Sequence, residues 1–138
     1  MIYVLGERPG PNTDPDSPLD PEGSMSGKRL SQLLGLTPEE YLERTVRVNA
    51  NPDHHGSTAS RGARDRAANH LEASAYRPFL VLGKQALRAM PERFRSMEIG
   101  DVRENVLLLP HTSGVCRVWN DKEYMAALGE FARAFVSV

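Results

Sequence analysis

Cysteine is nearly absent from this chain of 138 residues, in which Cys116 is the only one. A single cysteine excludes an intramolecular disulfide, an all-cysteine zinc site and a cysteine-ligated iron–sulfur cluster held by one chain. Long apolar runs are absent as well: no stretch approaches the roughly 18 consecutive apolar residues that span a bilayer, and no charged segment precedes an apolar one at the start. These absences predict a cytoplasmic protein with no membrane partner.

Neither sign of charge is in large excess, since 17 Lys and Arg stand against 18 Asp and Glu for a formal net charge of −1. Domains that bind nucleic acid through bulk positive potential are usually strongly basic, so such binding would require a local basic face here. Hydrophobic residues make up 40% and charged residues 25% of the chain, as in ordinary globular proteins. We expect one domain over residues 1–138, acting as a monomer.

Apolar runs alternate with helical patterns along the chain. "MIYVLG", "TVRVN", "RPFLVLG" and "ENVLLLP" are typical of strands, and the segments between them and after the last one have helical spacing. One helix is expected over about Ser26 to Leu34 with Ser26 as its cap, a short one begins at Thr37 with a capping box, and another covers "KQALRAM". Parallel strands need crossover connections, which are usually helices. The pattern predicts an α/β fold with three α/β/α layers around a four-stranded, mainly parallel sheet, whose ligands bind beyond the carboxyl ends of the strands.

Five prolines are concentrated in "ERPGPNTDPDSPLDPEG", directly after the first strand. So long a loop in a compact domain is uncommon and is often functional. Its first part places Gly6, Pro9 and Gly10 in a stiff turn whose backbone N–H groups could face a ligand, and Glu7 offers a carboxylate for acid–base work. The alternative is a rigid surface loop without function.

Asn49 ends the second predicted strand. Its carboxamide presents an acceptor and two donors in one plane, which suits the edge of a nucleobase. A turn-forming asparagine is the common alternative, and Asn51 competes for the same role.

The stretch "PHTSGVCR" follows the fourth predicted strand. His111 could donate a hydrogen bond to an oxygen that gains negative charge. Ser113 and Gly114 could supply donors to a phosphate, and Arg117 could anchor the segment or a phosphate. A plain strand-to-loop turn is again the alternative, and a serine hydrolase is disfavoured because the nucleophile motif G-x-S-x-G does not occur.

Further basic and metal-like groups carry weaker signals. "GSMSGKR" lacks the spacing of a nucleoside-triphosphate loop, although Lys28 at a helix start could meet one phosphate. The helical arginines 61, 64 and 66 could contact phosphates or form a solvated face. Asp53, His54 and His55 lack the spacing of metal ligands, so we expect neither a metal site nor a cofactor.

The motifs together resemble the uracil-DNA glycosylase superfamily, most closely its iron–sulfur-containing branch. "GERPGPNTD", "GSMSGKRLSQLLG", "RTVRVN", "FLVLGKQAL" and "HTSGVCR" follow the order of that branch over nearly the whole chain. The resemblance implies base excision in DNA repair, by hydrolysis of an N-glycosidic bond on a flipped nucleotide. It implies that Glu7 lies in the loop that activates water and contacts the base, that Asn49 hydrogen-bonds the pyrimidine edge, and that His111 stabilises the departing base, while Ser113 and the adjacent amides hold a phosphate.

The chain also departs from that branch. The four cluster cysteines are missing, Thr112 replaces a proline, and "SPLDPEGSMSG" has no aromatic residue where the family supplies a ring that stacks on uracil. Stacking on such a ring contributes roughly 1–3 kcal/mol per base. Because the ring is missing here, the base that the protein recognises could be one other than uracil. The alternatives are an enzyme of nucleotides or hypermodified bases, and a non-catalytic binder of nucleic acid or nucleotides.

Overall fold

A five-stranded sheet lies at the centre of the residues that the computed structural model describes, which are 1–10, 13–112 and 117–137. The strands are β1 (Ile2–Gly6), β2 (Thr45–Asn49), β3 (Phe79–Leu82), β4 (Val102–Arg103) and β5 (Val106–Leu109). Their spatial order is β2-β1-β3-β5-β4, and every neighbouring pair is parallel except β4 with β5. The predicted α/β class with a mainly parallel sheet is confirmed.

Helices cover both faces of this sheet. They are α1 (Met25–Leu33), α2 (Pro38–Arg44), α3 (Arg61–Ser74), α4 (Lys84–Leu87) and α5 (Lys122–Val136), with 3-10 turns at Glu92–Phe94 and Arg117–Asn120. Apolar residues of α3 and α4 pack on one face of the sheet, and those of α1, α2 and α5 pack on the other. In the described part of the chain, no helix combines the length and the apolar character needed to cross a bilayer.

The prediction of four strands was wrong by one. The additional strand, β4, is only two residues long and pairs antiparallel with β5 through Val102 opposite Leu107 and Arg103 opposite Val106. The turn between them passes through Glu104, whose φ is 55°. Neither feature has a clear sequence signal, because two residues show no alternation and the positive φ of the turn falls on Glu104 and not on the neighbouring Asn105, although glycine, asparagine or aspartate is usual at such a position.

Two predicted helix boundaries also change. Ser24, not Ser26, caps α1, because its hydroxyl accepts a hydrogen bond from the Gly27 amide at 3.2 Å. The helix predicted over "KQALRAM" ends at Leu87. The capping box predicted for Thr37 is confirmed: its hydroxyl accepts from the amide of Glu40, whose carboxylate accepts from the Thr37 amide.

His70 is a structural residue of the core. It lies in α3 under β1, with Nε2 3.0 Å from the Val4 carbonyl oxygen and its ring 5.3 Å from those of Tyr3 and Phe79. Burial lowers the pKa of His70 below its ordinary value of 6.5. The neutral ring therefore donates its Nε2 proton to the carbonyl and fixes α3 against the sheet.

Candidate active site

The ends of β1 and β2 bring Gly6 and Asn49 together. The two residues are opposite one another in the strand register. A Cβ on Gly6 would lie 2.5 Å from Asn49 Oδ1, closer than real side chains tolerate. Glycine at this position therefore lets the Asn49 carboxamide lie directly over the β1 backbone, at the sheet edge where ligands of parallel sheets bind.

The next residue, Glu7, meets His111 from the far end of the chain. Glu7 Oε2 lies 3.2 Å from His111 Nε2, and the two side chains are 15% and 37% exposed. Arg8 Nη1 lies 3.7 Å from the other Glu7 oxygen and donates to the Gly56 carbonyl oxygen at 3.3 Å. A largely buried carboxylate is thus placed between an imidazole and a guanidinium, a pairing suited to holding or moving a proton.

Two residues outside the predicted set fix the position of His111. Trp119, in the second 3-10 turn, donates its indole N–H to the His111 carbonyl oxygen at 2.8 Å. Gly83, which follows β3, has a φ of 88°, and a Cβ there would lie 2.9 Å from His111 Cβ. Only glycine leaves room for the imidazole at this place.

The structure separates the roles of the two candidate asparagines. Asn51 Nδ2 donates to the Ser57 carbonyl oxygen at 3.2 Å, and its Oδ1 accepts from the Asp53 amide at 2.8 Å. Asn51 therefore closes the loop after β2. Asn49 is also buried, but within the described residues no hydrogen-bond partner reaches its Oδ1. A buried acceptor without a partner is costly, so Asn49, unlike Asn51, has an acceptor that no contact of the described loop accounts for.

The turn after β1 is tied to β2. The Asn51 N–H donates to the Glu7 carbonyl oxygen at 3.0 Å, so the segments that follow β1 and β2 stay hydrogen-bonded to each other beyond the strands. Pro9 is buried, and the exposed Gly10 accepts from the Thr13 amide at 3.0 Å. Pro9 and Gly10 thus shape the turn that carries Glu7 rather than adding a side chain to the site.

The predicted phosphate contacts are only partly described. Lys28 is exposed at the end of the first turn of α1, and Arg117 begins the 3-10 turn that contains Trp119. Ser113 and Gly114 lie outside the described residues. Arg66 has a structural contact, since its Nε donates to the Ala50 carbonyl oxygen at 2.7 Å, whereas Arg61 and Arg64 are exposed.

Gly83 and Trp119 are site residues that the sequence motifs did not single out. Leu19 is a third, since its Cδ1 and Cδ2 atoms would lie 3.3 and 3.4 Å from a Cβ on Gly6. Trp119 is the only tryptophan in the chain and lies eight residues after His111, which is the one local signal it carries. The guanidinium carbon of Arg29 lies 5.5 Å from the Trp119 ring centroid. No group of three or more His, Cys, Asp or Glu among the described residues is arranged to hold a metal ion.

Comparison with known proteins yields no match: no family model, curated protein or solved structure is significantly similar to this chain. The resemblance to the uracil-DNA glycosylase superfamily therefore stays a prediction.

Proposed function

We propose that the protein is a DNA glycosylase-like hydrolase that cleaves the N-glycosidic bond of uracil or a modified pyrimidine in DNA. The observation that carries the proposal is the Glu7–His111 pair, with 3.2 Å between Oε2 and Nε2, one residue beyond the point where β1 is paired with Asn49. Two proton-handling side chains and a carboxamide whose Oδ1 has no partner among the described residues thus share one sheet edge.

Asn49 supports recognition of a base. The edge of uracil presents an imide N–H between two carbonyl oxygens, and a carboxamide can accept from that N–H while donating to a neighbouring oxygen. In this structure Asn49 Oδ1 is buried and lacks a donor among the described residues. A pyrimidine would supply the donor and remove the cost of the unpaired acceptor.

Glu7 and His111 support the hydrolytic step. The bond between C1′ and the base nitrogen breaks with its electron pair remaining on the base, and a water oxygen bonds to C1′. Glu7 takes the proton from that water as general base. His111, whose ring is partly exposed, donates a hydrogen bond to the base oxygen that gains negative charge.

DNA would lie along a local basic rim, because the net charge of −1 offers no general attraction to phosphate. Arg61 and Arg64 are exposed at the start of α3, and Lys28 is exposed on α1. Lys28, Ser113, Gly114 and Arg117 remain the proposed phosphate contacts. We propose that the protein acts on DNA as a monomer in the cytoplasm.

An abasic-site assay tests this function. Single- and double-stranded oligonucleotides that carry uracil or a modified pyrimidine are incubated with the protein, and alkali-labile strand cleavage is measured. We expect Glu7→Gln and His111→Gln each to slow cleavage by roughly 100- to 10,000-fold, the usual contribution of general acid–base catalysis. Glu39→Gln, an exposed position of α2, is the matched control and should cleave at the wild-type rate.

Four results would contradict the proposal. Wild-type protein that releases no base from any oligonucleotide is not a glycosylase of these substrates, and equal rates in wild type and both variants would remove Glu7 and His111 from the reaction. Base release from mononucleotides alone would favour an enzyme of nucleotides. Oligonucleotide binding that depends on Asn49, without turnover, would favour a non-catalytic binder.

A further inference from the structure

Leu19 holds a strained backbone conformation in the Pro-rich loop. Its φ is 56°, yet the residue is only 6% exposed. A leucine in the left-handed region is strained because its Cβ approaches the following carbonyl oxygen. Such strain persists only where surrounding contacts hold the residue, and it is concentrated at functional sites.

Two contacts hold the backbone of Leu19 in place. The Tyr41 hydroxyl donates a buried hydrogen bond of 2.9 Å to the Leu19 carbonyl oxygen. On the other side, α1 packs so closely that a Cβ on Gly27 would lie 2.3 Å from the same oxygen and 2.4 Å from the Asp20 carbonyl oxygen. Because the backbone is fixed, the Leu19 side chain can change position only by rotating about its own torsions.

That side chain lies over Gly6, next to the Asn49 carboxamide. The point that a Gly6 Cβ would occupy is 3.3 and 3.4 Å from the Leu19 Cδ1 and Cδ2 atoms and 2.5 Å from Asn49 Oδ1. The two methyl groups therefore share with Oδ1 the space directly above Gly6. Asn49 is 8% exposed, so its unpartnered oxygen is closed off from solvent in this arrangement.

We propose that the Leu19 side chain occupies the base subsite in the free protein and must rotate away before a base can reach Asn49. This inference rests on the proposed function, since it takes the space at Asn49 as the base subsite. Leu19 would then determine specificity by size. Rotation of one isobutyl group on a fixed backbone vacates space for a single six-membered ring more readily than for a fused purine, so the subsite would take pyrimidines.

Removal of the side chain tests the proposal with free uracil as the probe and free adenine as the comparison. Titrations are followed by 1H–15N correlation spectra, in which the Asn49 side-chain NH2 signal reports contact with the base. Leu19→Ala empties the space. Leu19→Gly does so while also relieving the strain at φ 56°, which protects against a variant that fails to fold. Leu33→Ala, a buried residue of the same core layer on α1, is the matched control.

We expect both Leu19 variants to bind uracil about 10- to 100-fold more tightly than wild type. Wild type must displace a buried leucine side chain before uracil binds, and the free energy lost with that burial corresponds to a factor of this size in affinity. Adenine binding should rise in the same variants, and Leu33→Ala should bind as wild type does. Unchanged or weaker uracil binding in both folded Leu19 variants would overturn the proposal. So would the lack of any shift of the Asn49 signal in every variant.

The outcome is separable from that of the proposed function. Tighter uracil binding at Asn49 without base release from oligonucleotides would refute the glycosylase and leave the role of Leu19 standing. Base release that depends on Glu7, together with unchanged uracil affinity in the Leu19 variants, would do the reverse.

Discussion

Replacement of Gly83 by alanine would displace His111 while leaving its imidazole chemically unchanged. Gly83 has φ 88° and ψ 160°, a conformation that L-residues rarely adopt. A Cβ there would lie 2.9 Å from His111 Cβ and 3.1 Å from Cδ2, whereas ordinary contact begins at 3.4 Å. His111 must therefore move, and a return to ordinary contact needs about 0.5 Å, the difference between 3.4 Å and 2.9 Å.

The size of the expected effect follows from these distances. The Nε2–Oε2 separation of 3.2 Å is already at the long end of the hydrogen-bond range, so any displacement of His111 that lengthens it breaks the contact with Glu7. A misplacement of about 1 Å costs roughly 100-fold in rate, so we expect Gly83→Ala to slow base release about 10- to 100-fold. The backbone strain should lower the free energy of unfolding by about 1–3 kcal/mol.

Gly100 provides the matched control. Its φ is 92°, close to that of Gly83, but a Cβ on Gly100 would meet nothing within 4 Å. Gly100→Ala should therefore lose stability through positive φ alone and keep the wild-type rate. Urea unfolding measures the stability of both variants, and single-turnover base release measures the rate.

Two results would refute this reasoning. A Gly83→Ala variant with the wild-type rate would show that His111 does not need the position it has here. Equal loss of rate in Gly83→Ala and Gly100→Ala would show that the effect comes from lost stability and not from the contact with His111.

Three further substitutions have defined outcomes. Gly6→Ala drives a Cβ to within 2.5 Å of Asn49 Oδ1, so uracil should no longer shift the Asn49 side-chain signal, while the fold should persist by circular dichroism. Trp119→Phe keeps a ring but removes the 2.8 Å hydrogen bond to the His111 carbonyl oxygen, which should cost about 0.5–1.5 kcal/mol of unfolding free energy in urea and slow base release more than it weakens uracil binding. Burial lowers the pKa of His70 below 6.5, so as the pH falls below 6.5 the unfolded chain takes up this proton before the folded protein does, and the free energy of unfolding decreases. His70→Gln removes this group, so the free energy of unfolding should depend less steeply on pH, by at most about 1.4 kcal/mol per pH unit.

The central strands were predictable because their signals are local. β1 has five buried residues in an apolar run, and β2 begins and ends where "TVRVN" does. Burial on both faces is what a parallel sheet with helices on each side requires, so the same residues also predicted the layers. β4 has no such signal, since it exists only through its pairing with β5.

The sequence indicated which residue types lie at this sheet edge, but it did not distinguish between the two asparagines. Asn49 and Asn51 are the same residue type two positions apart, and only the contacts of Asn51 with Ser57 and Asp53 show which amide is committed to the loop. Leu19 was part of a segment noted for lacking an aromatic residue. Its backbone is held by a hydrogen bond from Tyr41, which lies 22 residues further along the chain.

The position of β3 explains why a glycine belongs to this site. β3 lies between β1 and β5, so Glu7 and His111 follow strands that are not neighbours. Adjacent strands are about 4.8 Å apart, so the two side chains must meet across roughly twice that distance, over the end of β3. Any side chain at the residue after Leu82 would stand in that path, as the 2.9 Å approach of a Gly83 Cβ to His111 shows. The glycine in "FLVLG" is therefore a requirement of the Glu7–His111 pair, imposed by residues at both ends of the chain, and its replacement should be felt first in that pair.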